Sequence, residues 1–151
     1  MKTKRKTYLA YGSNMNLDQM EWRCPNAAVQ GTSTLHNWAL TFRGPRRDGV
    51  ATIEKKEGFN VGVLLWSITD ECEQSLDRYE GYPHLYHKET VTVTLDGDEI
   101  EAMVYIMNDV YPYAIPGPYY YKTLVDGYAD CGFDKALLDE AIELTARKNH
   151  D

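Results

Sequence analysis

The sequence has no apolar run near the roughly 18–20 residues that a membrane-spanning helix needs, so it predicts a soluble chain with no membrane partner. Positive charge is scarce as well: 16 Lys and Arg stand against 23 Asp and Glu, a net charge of −7. A nucleic-acid binder needs a basic footprint, so nucleic acid is excluded as a partner. Cysteine is sparse, with only Cys24, Cys72 and Cys131 at wide spacing. An odd, scattered set does not build a disulfide framework and predicts reduced structural thiols. No Gly-rich phosphate loop is present, and no Ser or Cys stands in a nucleophile-elbow pattern. His84 and His87 lack a third ligand nearby, so no metal site is expected. The opening Lys2, Lys4, Arg5 and Lys6 are not followed by a stretch of signal-peptide length. That predicts a cytoplasmic location and a flexible basic tail over residues 1–6.

What is present suits one domain: 151 residues can bury a core without metal or disulfide staples. Tyrosine dominates the aromatics, twelve against three Trp and three Phe. Its apolar body and polar tip fit a pocket that binds a polar ligand in a partly dry place. Strands are expected at Thr7–Tyr11, Trp38–Phe42, Val50–Ile53, Asn60–Ser67, Lys88–Leu95 and Glu101–Met107. Asp96-Gly97-Asp98 reads as the turn of a hairpin. One helix should follow Asn16, with Gln19 three residues on in a capping box, and end at Pro25. Others are expected at Asp70–Tyr79, with Asp70 as cap and Gly81 as stop, at Tyr119–Cys131, and at Asp134–Arg147. Leu137, Leu138, Ala141 and Leu144 would face the core from the last of these. Strands in succession with helices set apart indicate an α+β fold with a mixed, barrel-like β-sheet and helices packed around it.

Three features could carry chemistry. Gly12 permits close backbone approach, Ser13 and Asn14 add polar groups, and the helix behind offers free N–H groups. Together they could cradle a carboxylate or oxyanion, or simply form a tight strand-to-helix turn. Cys72, Leu76 and Glu80 share one helix face, which points Glu80 inward. Its place in the last turn opposes the helix dipole, so burial and dipole would both raise its proton affinity, as a general base requires. The bland reading is a solvated Glu at a frayed helix end. Tyr86, Tyr105 and Tyr120 each read first as core or surface and only second as a site, and the Arg43, Arg46, Arg47 loop reads first as solvated.

These pieces, in order, resemble the gamma-glutamyl cyclotransferase / AIG2-like superfamily. Tyr8–Met15 (YLAYGSNM) is similar to its YGSN loop, and Leu76–Pro83 (LDRYEGYP) to its LDxxEGYP element. Trp38–Arg43 and Gly49–Ile53 look like its next two strands. Pro116–Tyr120 (PGPYY) is similar to PSxxY, with Gly117 in place of Ser. The resemblance implies intramolecular cyclisation of a small gamma-glutamyl substrate to 5-oxoproline, without a cofactor. It implies Glu80 as the catalytic base and Tyr11, Gly12, Ser13, Asn14, Met15, Tyr86 and Tyr120 as substrate-binding residues. A homodimer is the assembly considered. The alternatives are a non-catalytic module binding an amino acid or anion, and a cyclotransferase for a gamma-glutamylated amine or natural product.

Overall fold

The computed structural model describes residues 4–149. Strand β1 (Arg5–Ala10) leads through a 3-10 turn, Ser13–Met15, into helix α1 (Leu17–Arg23). A long antiparallel pair follows, β2 (Ala28–Arg43) and β3 (Val50–Thr69), and then helix α2 (Asp70–Glu80). The hairpin β4 (Tyr86–Leu95) and β5 (Asp98–Met107) precedes helices α3 (Pro118–Cys131) and α4 (Ala136–Asn149).

The five strands form one sheet in the order β2-β3-β1-β5-β4. It is mixed, because β1 runs antiparallel to β3 and parallel to β5. The expected barrel-like form is met only in part, since the hydrogen-bonded ladder stays open. The sheet nevertheless curls until its edge strands touch: Ser33 Oγ donates to the Thr94 carbonyl across the gap between β2 and β4. The right-handed twist of neighbouring strands accumulates into this curl.

Local sequence accounts for most elements. Asn16 caps α1, its side chain accepting from the Gln19 N–H as expected. Thr69 rather than Asp70 caps α2, because its Oγ1 accepts from Cys72 N at 3.2 Å. Gly81 ends that helix at φ 65°, the left-handed conformation that favours glycine. Asp96 and Gly97 both take positive φ, 51° and 86°, as a two-residue hairpin requires. In β4 Val91 and Val93 face the core between exposed threonines. Residues Val61 to Trp66 of β3 are buried without alternation, because both faces of the strand are covered.

Several expectations are revised. The strands at 50–53 and 60–67 are one element, and β2 starts ten residues before Trp38. The joining segment is polar and exposed, so apolar periodicity does not reveal it. Pairing is interrupted there, where Asn37 (φ 67°) accepts the Gly58 N–H through Oδ1. Arg5 and Lys6 pair with Thr69 and Ile68 in β1 and so do not belong to a tail; residues 1–3 lie outside the described region. On α4 the inward face is Leu138, Ala141 and Thr145, while Leu137 is exposed. Thr145 Oγ1 accepts from Phe42 N and ties α4 to β2. Cys24 and Cys72, expected as reduced thiols, are joined in a disulfide linking the end of α1 to the start of α2. The chain brings them together only in three dimensions, across a separation of 48 residues.

Leu76 is fully buried one turn before Glu80. Leu76→Ala is expected to lower stability by about 2–5 kcal/mol, read by urea unfolding. Without reductant, peptide mapping should recover Cys24 and Cys72 as one cross-linked species, with Cys131 free to alkylate.

Candidate active site

The end of β1, the 3-10 turn, the end of α2, the start of β4 and the start of α3 converge on one cavity of roughly 220 Å³. That is smaller than the ~300–1,000 Å³ typical of drug-sized sites and suits a small polar ligand. Its walls include Tyr8, Tyr11, Gly12, Ser13, Asn14, Val50, Ala51, Tyr79, Glu80, Leu85, Tyr86, Tyr105 and Tyr120.

Glu80 is the only ionisable carboxyl among them. It ends α2 on the face that carries the buried Cys72 and Leu76, as its spacing predicts. The residue is half-buried, and no group of the described residues donates a hydrogen bond to it. The protein packed around it pushes its pKa up to about 7, opposed in part by the positive charge of Arg23. The C-terminal end of the α2 dipole acts in the same direction as burial.

The tyrosine hydroxyls divide by what they already hold. Tyr11 donates to the Tyr105 carbonyl at 2.6 Å, and Tyr86 donates to the Ala51 carbonyl at 2.6 Å. Tyr120 instead accepts from the Ala51 N–H at 3.1 Å, and Tyr8 accepts from Asn14 Nδ2 at 2.9 Å. One residue, Ala51, thus pins both Tyr86 and Tyr120 through its two backbone groups. Burial and the nearby Glu80 charge raise the pKa of all four, so each is a neutral hydroxyl at physiological pH. The Tyr79 hydroxyl pairs with Ser13 Oγ at 3.0 Å.

The turn is held from three sides. Trp66 Nε1 donates to the Asn14 carbonyl, Asn16 Nδ2 donates to the Thr123 carbonyl, and Arg23 donates to Asn14 Oδ1. At Gly12 a Cβ would sit 3.1 Å from the Ala51 Cβ and 3.5 Å from the Tyr120 hydroxyl, so glycine lets three walls meet there. Gly117 has a comparable reason. The Asp48 carboxylate lies 2.8 Å from the position of a Cβ, in the space that the serine of the usual motif would enter.

Of the residues expected at the site, Tyr11, Gly12, Ser13, Tyr86, Tyr120 and Glu80 border the cavity together. Two expected binding residues behave differently. Met15 is fully buried in the core and does not line the cavity. The Asn14 side chain is consumed by Arg23 and Tyr8, although the residue borders the cavity. Tyr105, weighed above as core or site, borders the cavity, whereas Tyr8, Tyr79, Leu85, the Val50–Ala51 edge and Arg23, stacked 3.5 Å over the Tyr79 ring, carry no expectation from sequence. For Tyr8 the strand period gives no clue, because a three-residue spacing along a strand points two side chains to opposite faces. For Arg23 no local signal exists. Arg43 is engaged by Glu54 and Tyr113 away from the cavity, and Arg46 and Arg47 are exposed. Among the described residues, no cluster of three or more His, Cys, Asp or Glu is placed to hold a metal ion. No helix among them is long and apolar enough to cross a membrane.

A small tyrosine-walled cavity around one carboxyl with a raised pKa is the arrangement found in enzymes that act on a compact polar substrate. Within that class, the chain belongs to the gamma-glutamyl cyclotransferase, AIG2-like family, whose model matches residues 8–123. The chain is similar to gamma-glutamylcyclotransferase of Bos taurus, 31% identical over 134 residues that cover 83% of this chain and 71% of the relative. It is similar also to that of Homo sapiens, 30% identical over the same coverage. A solved structure named gamma-glutamyl cyclotransferase superposes with a TM-score of 0.80 at 28% identity, covering 95% of this chain and 88% of that one.

Because Glu80 binds its proton more tightly when folded, its contribution favours folding below about pH 4.5 and is lost as pH rises through about 7. Glu80→Gln should therefore be more stable than the parent at pH 9, by up to roughly 3 kcal/mol, and equal to it below about pH 4. Urea unfolding across pH checks this.

Proposed function

We propose that the chain is a gamma-glutamyl cyclotransferase with Glu80 as its general base, converting a gamma-glutamyl amide to 5-oxoproline and a free amine or amino acid. The observation that carries this reading is the Glu80 carboxyl, held in the tyrosine-walled cavity without a donor of its own and with a pKa of about 7.

The reaction suits such a site because nucleophile and electrophile belong to one molecule. The walls need only fold the substrate so that its α-nitrogen lies against the side-chain carbonyl carbon. The nitrogen attacks as a neutral amine, and the five-membered ring closes as the carbonyl oxygen gains negative charge. Glu80 takes the proton that the nitrogen sheds and passes it to the departing nitrogen as the original amide bond breaks. A base poised near neutrality can do both. Backbone N–H groups of the Gly12–Asn14 turn, which borders the cavity, would hold the substrate carboxylate or the oxyanion. Tyr11 and Tyr86, with their protons committed to backbone carbonyls, present oxygens that can accept from the substrate amine. Tyr120 keeps its proton and can donate. A cytoplasmic setting and a homodimeric assembly complete the proposal. In that compartment thiols are kept reduced, so Cys24 and Cys72 would be found there mainly as an adjacent dithiol.

Screening gamma-glutamyl amino acids, gamma-glutamyl amines and glutathione for 5-oxoproline release tests the activity and identifies the leaving group. Glu80→Gln should keep the fold and lose about 10²–10⁴ in turnover. In the parent, kcat/KM should rise with pH through about 7 as Glu80 ionises. A Gln variant within tenfold of the parent overturns the assignment of the base. Ligand binding without any 5-oxoproline release would instead make the chain a binding module.

A further inference from the structure

Arg23 ends α1 and lies half-buried against the turn that borders the cavity. Its guanidinium stacks on Tyr79, donates to Gln19 Oε1 at 2.8 Å and donates to Asn14 Oδ1 at 2.6 Å. Arginine can only donate, so the oxygen of the Asn14 amide must face it. The amide nitrogen must then face Tyr8, and it donates to the Tyr8 hydroxyl oxygen at 2.9 Å. Asn14 is almost completely buried, which leaves its amide no water to turn toward. The Tyr8 oxygen is thereby committed as an acceptor. Its proton has no acceptor among the described residues, and the ring borders the cavity. Each bond in such a chain polarises the next, and a cation at its head strengthens the donor at its tail.

We infer that Arg23 is a positioning residue that sets the direction of the Arg23–Asn14–Tyr8 chain, so that the Tyr8 hydroxyl donates to an oxygen of the bound ligand. The inference rests on the cyclotransferase reading only for the ligand, which in that reading offers a carboxylate and a carbonyl oxygen. Arg23 does not line the cavity and acts on the ligand through Asn14. Replacing it with a residue that can accept frees the Asn14 amide to turn and the Tyr8 proton to point back at the protein.

The test is a double-mutant cycle on Tyr8→Phe, Arg23→Gln and the double variant, with 5-oxoproline as the binding probe in titration calorimetry. The same cycle is read on kcat/KM for 5-oxoproline release on its plateau about two pH units above the Glu80 titration, where loss of the Arg23 charge no longer changes the ionisation of Glu80, and thermal melts establish that each variant is folded. Tyr8→Phe removes one hydroxyl and keeps the ring, so it reports even if Arg23→Gln fails to fold. It should weaken binding about tenfold or more, the worth of a hydrogen bond to a charged group. Arg23→Gln should weaken binding when made in the parent and change it less than twofold when made in the Tyr8→Phe variant. Effects that multiply independently overturn the inference, and so does a Tyr8→Phe variant within twofold of the parent. A parent that binds 5-oxoproline but releases none from any substrate refutes the cyclotransferase reading, while the binding cycle still decides the chain. A parent that turns over but binds product too weakly to titrate is decided by the kinetic cycle. A parent that does neither overturns both.

Discussion

A carboxyl packed in protein without a hydrogen-bond donor resists ionisation, and in this molecule Glu80 is held that way. Much of the surrounding architecture follows from that constraint. The last turn of α2 must pack inward through Cys72 and Leu76 to carry Glu80 off the surface. The walls must be apolar enough to keep water out and polar enough to receive a ligand, and tyrosines whose hydroxyls are tied to fixed partners meet both needs. Arg23 tempers the cost from a distance instead of forming an ion pair, which would pull the carboxyl far below neutrality.

The walls are rigid because their polar atoms are anchored to backbone. Ala51 holds Tyr86 with its carbonyl and Tyr120 with its N–H. Trp66 holds the turn at Ser13–Met15 from β3 and Arg23 holds it from α1, while Asn16, just after the turn, ties it to the Thr123 carbonyl of α3. Such preorganisation is what a site needs when its main task is to fold a flexible substrate onto itself. It also separates the tyrosines into donors and acceptors, a distinction that the residue type alone does not carry.

Much of the site was legible in sequence where a local rule operated. The i, i+4, i+8 spacing pointed Glu80 inward, and Gly12 marked a close approach. The capping oxygen of Asn16 and the stop at Gly81 placed the helix ends. Legibility failed where the deciding partner was remote. Met15 follows the polar turn residues in the motif, yet the 3-10 turn rotates it into the core. Asn14 belongs to the same motif, but its amide is spent between Arg23 and Tyr8. The segment joining the two halves of β3 has no apolar pattern, because its strand form comes from backbone pairing with β2. Cys24 and Cys72 look unrelated until α1 and α2 pack end to end.

The sequence by itself determined the elements and the chemical types at the site. Periodicity, caps and turn residues act over a few positions and need no distant partner. The motifs carried the family, and with it Glu80 as the residue most in need of an explanation. Only the tertiary structure decided the curl that brings β2 against β4, the cavity walls supplied by Tyr8, Ala51 and Tyr105, and the direction of the hydrogen bonds around Glu80. Those depend on which donor meets which acceptor across dozens of residues, as when an arginine at the end of α1 orients an amide, and the amide orients the tyrosine of the first strand.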